Sequence, residues 1–179
     1  MSQEELLRQL LHMYHTFLKT LSLEGLPRLV YQMAGELGFG ALAKLYAETT
    51  KTYIDDVLKI PAETRDPTRL LEMMQDAMRA AKTVVNEPLF EFQAEQEDGR
   101  LVIHVQAKKR DRLDTLRAAP VLGMVAGVFE ASGYKVYIVA DASKKHVAPQ
   151  GRPGTAVVTL SDCDSHSCIL VEYWPPASA

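Results

Sequence analysis

The sequence predicts an α+β domain: an N-terminal layer of about four helices packed with an antiparallel sheet of about four strands, in a β-β-α-β-β unit. Three observations carry this. Apolar residues recur at helical spacing from Leu6 to Ala81. Beyond them, short runs such as Phe90-Glu91-Phe92-Gln93 and Leu101-Val102-Ile103-His104 alternate as strands do. Between the strands, Val121 to Ala131 reads as an apolar helix stopped by Gly133. At 179 residues a single domain over 1–179 is expected, with a helical part over 1–84, a sheet-containing part over 87–174 and a tail over 175–179.

Ser2 followed by Glu5 is a capping-box pattern that starts the first helix. Leu6, Leu10, Met13, Phe17 and Leu21 repeat along it, with Leu7, Leu11, Tyr14 and Leu18 beside them. That face is wide for one neighbour, which suits burial on two sides or a dimer. Leu23-Glu24-Gly25-Leu26-Pro27 is expected to break the helix, Pro27 fitting the first turn of the next. The second helix carries Leu29, Val30, Met33 and Leu37 and loosens at Gly38-Phe39-Gly40, a joint rather than a phosphate loop because no strand precedes it. A third helix over 41–60 is expected to turn Leu42, Leu45, Tyr46, Tyr53, Ile54 and Val57 inward. Asp66 then caps a fourth, which begins at Pro67.

In the second half, the turn Glu97-Asp98-Gly99 joins two strands, and His104 falls on the face opposite Leu101 and Ile103. The small residues Gly123, Ala126 and Gly127 are expected to seat the apolar helix close to the sheet. Tyr134 to Ala140 resumes a strand, and residues 144–153 form an exposed loop. Thr155–Leu160 and Ile169–Trp174 form the closing hairpin.

Hydrophobic content of 47% with 24% charged residues is ordinary for a soluble globular chain. A net charge of −3 gives no footprint for nucleic acid, and no run is apolar enough to span a membrane. The expected location is cytoplasmic. Cys163 and Cys168, if directly opposed in the hairpin, permit a disulfide; free thiols and a partial metal site of Cys163, His166 and Cys168 stay open. His12 and His15 lack a nearby third ligand. The run Lys108-Lys109-Arg110-Asp111-Arg112 is a basic segment that suits an anion or plain solvation. No nucleophile motif or paired carboxylates stand out, so a non-enzymatic role is expected.

The stretch from Leu70 to Trp174 resembles the superfamily that unites haem-NO-binding domains, four-vinyl-reductase domains and TRAPP subunits of Golgi tethering. Pro88-x-Phe90, Leu101-Val102-Ile103-His104, Val121-Leu122-Gly123-Met124-Val125 and Cys163-Asp164-Ser165-His166 carry the resemblance. Counting back from Pro88, it sets the family's haem-ligating histidine on Gln75, and its propionate clamp on Val105, Ala107 and Lys109. A glutamine amide is a poor iron ligand, and of the clamp only Lys109 keeps a charge, a weak anionic contact. Conventional haem is therefore not expected, and the cofactor stays unknown. What the resemblance implies is a small-molecule-binding or sensory domain, with an apolar ligand between helices and sheet lined by Met73, Met74, Met78 and Met124. The alternatives are a TRAPP-type interaction module, in which the Leu6-to-Leu21 face forms a homodimer or docks on a partner protein, and a tetrapyrrole- or hydrocarbon-acting protein.

Overall fold

The computed structural model describes residues 3–85, 91–97, 100–106, 115–140, 143, 147–163 and 166–176. Helix α1 (Gln3–Thr20) runs through a π-turn at Leu21–Gly25 into α2 (Leu26–Ala34). The expected break at residues 23–27 does not occur: Thr20, Gly25 and Leu26 all keep right-handed helical angles. Pro27 is tolerated because it sits at the start of α2, just past the widened turn, where its missing N–H costs least. The helix joint is at Gly35, whose φ of 58° suits a residue without Cβ, ahead of the Gly38-x-Gly40 pair. Helix α3 (Gly38–Thr52) continues as a π-helical segment, Tyr53–Leu58, and stops at Lys59 in the left-handed conformation. As expected, Asp66 caps α4 (Pro67–Val85), its Oδ1 accepting the Arg69 backbone N–H at 2.8 Å.

The α+β class holds, with a fuller sheet than four antiparallel strands. Strands β1 (Glu91–Glu97) and β2 (Arg100–Gln106) are followed by helix α5 (Thr115–Ala131), then β3 (Lys135–Val139), β4 (Thr155–Cys163) and β5 (His166–Trp174). They form one five-stranded sheet in the order β1-β2-β5-β4-β3. All pairings are antiparallel except β3 with β4, which run parallel. Strand β4 starts at the same end of the sheet as β3, Lys135 pairing with Thr155 and Val139 with Thr159, which makes the pair parallel. The closing hairpin is longer than its apolar runs suggest, because polar Ser161, Asp162 and Cys163 continue the ladder. The capping box at Ser2, residues 87–90, the turn at 98–99 and the basic run 108–112 lie outside the described residues.

Helix α5 is the centre. Every residue from Ala118 to Phe129 is buried, as a helix apolar all round should be. On one side it meets Leu101, Ile103, Ala156, Val158, Ile169 and Val171 of the sheet. The other side meets α3, and here the sequence reading needs correction, since Gly123 and Gly127 face this helix and not the sheet. A Cβ on Gly123 would run into the carbonyl oxygen of Ala43 and come within 2.7 Å of the Tyr46 Cβ. One on Gly127 would meet the carbonyl of Ala47 and lie 2.8 Å from the Thr50 Cβ. So close a contact needs small partners, which is why α3 buries Ala43, Ala47 and Thr50 alongside Leu42, with Ile54 buried in the segment that follows. Leu45, Tyr53 and Val57, expected inside, are 49–61% exposed, and Tyr46 is half-buried.

Gly123→Ala and Gly127→Ala should each destabilise the domain by about 2–3 kcal/mol, because the added methyl meets backbone that has nowhere to go. Gly40, exposed on α3 with nothing near its missing Cβ, is the control. Gly40→Ala should raise stability by about 0.5–1 kcal/mol. Urea unfolding of the three variants checks both signs.

Candidate interaction surface

No residue of α1 is buried. Leu7, Leu10, Tyr14, Phe17 and Leu21 repeat at spacings of three and four, a heptad stripe, and are 49–63% exposed. Leu6, Leu11 and Met13 widen it at 43–66% exposure. The half-buried residues of α1 are instead His15, Leu18 and Lys19. At 100° per residue these lie to one flank of the stripe, so α1 leans on its own domain, chiefly on α4 and the π-turn, by that flank. Its most apolar side is turned outward. An amphipathic helix normally does the reverse.

The charges of the flank are Lys19 and the Glu4–Arg8 pair. Burial, then Lys19, then His12 hold the His15 imidazole below its ordinary value. Glu4 is engaged by Arg8 at 2.9 Å. Glu4, Glu5, Arg8 and Lys19 leave the helix without net charge. After the π-turn, exposed apolar residues recur at Leu29, Tyr31 and Met33, while Val30 packs against the core.

Two side chains anchor the body on which α1 rests. A π-turn leaves carbonyls without their ordinary intrahelical partners, and the Tyr46 hydroxyl donates to one of them, Ser22 O, at 2.8 Å. Arg65, with its side chain only 10% exposed, donates to Ile60 O from Nε and Nη2 at 2.8 and 2.6 Å. Its Nη1 reaches Ala131 O, the last carbonyl of α5, at 3.0 Å and pairs with Asp55 at 2.6 Å. A guanidinium thus closes the C-terminal ends of two helical segments, where a cation also suits the helix dipole. Nothing in the sequence marks Arg65, which reads as a solvated loop residue.

The expected ligand-site residues are spread out. Met124 is buried on α5 and Met74 packs against the same core, whereas Met73 is 46% exposed on α4; the Met78 side chain lies outside the described residues. Gln75 is half-buried on α4. Lys109 falls outside the described residues. In the hairpin, Cys163 pairs with His166 and Cys168 with Ser161, so the two cysteines are diagonal, not directly opposed. Cys168 is fully buried and disulfide-bonded, in a chain holding two cysteines. Its sulfur in that state is not a thiolate and gives a metal no strong ligand. The side chains of Cys163 and His166 lie outside the described residues. Disulfides persist chiefly in oxidising compartments, which sits against the cytoplasmic expectation.

Between α3 and α5, burial pushes the Glu130 carboxyl above its ordinary value of 4.5; Glu48 adds to this, while Lys51 and Lys44 oppose it. The native state then holds the proton more tightly than the unfolded chain. The stabilising contribution is complete below the ordinary value and is lost as pH rises through the folded one. Glu130→Gln should therefore raise the thermal midpoint at pH 7, with the gain fading toward pH 4 (about the ordinary carboxylate value) in thermal melts.

No family model, curated protein or solved structure matches the chain. Among the described residues no helix is long and apolar enough to cross a membrane.

Proposed function

We propose that this chain is a protein-interaction module that acts by presenting the outward face of α1 to another polypeptide. The observation that carries the reading is the inverted placement of α1: a helix with no buried residue exposes Leu10, Met13, Tyr14 and Phe17 by half or more. Contiguous exposed apolar surface of this extent marks an interaction site on a folded protein.

The face is a docking surface only if the domain does not need it to fold. Leu10→Asp/Phe17→Asp should change unfolding free energy by less than about 1 kcal/mol, measured by urea titration at concentrations low enough to keep the chain monomeric. A loss of about 3 kcal/mol or more would make the stripe part of the core and defeat the reading.

A second reading, binding of an apolar small molecule between helices and sheet, is favoured by Met74 and Met124 sharing one core with a half-buried Gln75 nearby in sequence on α4. Methionine adapts to irregular ligands. Incubation with haemin should leave the absorption spectrum without a stoichiometric Soret band, because Gln75 is a poor axial ligand. A sharp stoichiometric band would restore haem as the ligand. Native mass spectrometry of the purified chain would reveal any other.

A further inference from the structure

We infer that the occupant of the α1 face is a second copy of this chain, joined through a two-fold contact in which α1 packs on α1. This rests on the interaction reading and names its partner.

Area is the first argument. The eight apolar residues from Leu6 to Leu21 that are 43–66% exposed present on the order of 800 Å² of surface. A standard stable interface buries about 800 Å² on each partner, while the largest apolar patch of an ordinary monomer is about 300–600 Å². The face is thus the right size for one complete interface and too large for a stray patch. Its make-up is the second argument. Tyr14 and Phe17 lie inside the stripe, where aromatic anchors concentrate binding energy.

The charge pattern separates the occupants. An isologous contact sets each residue against the same surface on its partner, so it favours a face that is uncharged and self-complementary. The stripe is bordered by Gln9, Thr16 and Thr20 on one side and by the Glu4–Arg8 pair and Lys19 on the other, and α1 carries equal acid and base. A helix built to lie on an anionic membrane instead flanks its apolar side with lysine and arginine. The stripe is also wider than the seam of a two-stranded coil, because Leu6, Leu11 and Met13 extend it.

Sedimentation equilibrium of the full chain from about 0.1 to 100 µM tests this. The wild type is expected to approach twice 19.9 kDa. Leu10→Asp/Phe17→Asp should weaken association at least about 100-fold, and Leu10→Gln/Phe17→Gln, which keeps helix propensity, about 10-fold or more. Val147→Asp, at an apolar residue outside α1 that is 76% exposed, should leave the constant unchanged. A wild type that stays at 19.9 kDa throughout overturns the inference, as does a dimer indifferent to both α1 variants. Co-sedimentation of the monomer with phosphatidylcholine vesicles, with or without phosphatidylserine, would also overturn it in favour of a lipid surface. None of these outcomes bears on the monomer unfolding measurement, so failure of the partner and failure of the interaction reading remain distinguishable.

Discussion

The structure depends first on the backbone contact between α3 and α5. Gly123 and Gly127 bring α5 against the carbonyls of Ala43 and Ala47, with no side chain between. Helices that approach this closely gain dispersion contacts along the whole shared length and leave no room for adjustment. The sheet packs on the far side of α5 and α4 enters beside it, so position is inherited outward from this seam. It also explains why α5 is buried from Ala118 to Phe129: it is a shared wall between two layers and has no solvent side.

Around the seam, departures from regular helix are stabilised by named partners. The turn at Leu21–Gly25 has the Tyr46 hydroxyl, and Tyr46 itself is pressed against Gly123, so this link is fixed by the seam. The end of the Tyr53–Leu58 segment and the end of α5 share Arg65. Buried or half-buried carbonyls are satisfied at both places, as stability requires. One polar atom is left over: the Thr159 hydroxyl, on the sheet face turned away from α5, is 1% exposed and has no hydrogen-bond partner.

Much of the architecture was legible in the chain. Alternation of Leu101 and Ile103 with Val102 and His104 pointed to β2, and the Asp66-Pro67 pair located α4 because cap chemistry is local. Less legible was which side of each helix faces in. In α3 the inward positions are small because of the glycine seam, so Leu45, Tyr53 and Val57 dominated the pattern while pointing to solvent. The parallel pairing of β3 with β4 joins strands that are far apart in the chain, on which local sequence is silent. For the functional surface, the Leu6-to-Leu21 stripe was visible, but whether it faced the core or the outside was not, since amphipathicity fixes a face and not its direction. Arg65 was invisible because its partners are backbone carbonyls 5 and 66 residues away.

A π-turn holds one residue more than the α-helical turn it replaces, and the one at Leu21–Gly25 stands between α1 and the body of the domain. The wider turn takes up that residue, so α1 and α2 keep nearly the phase of an unbroken helix. Deleting one residue there would close the turn to regular helix and leave the Leu10–Phe17 side facing outward, at the cost of the bond between the Tyr46 hydroxyl and Ser22 O. In a regular helix the same change would turn everything before it by about 100°. The turn therefore buffers the direction of the exposed face against changes of one residue in chain length.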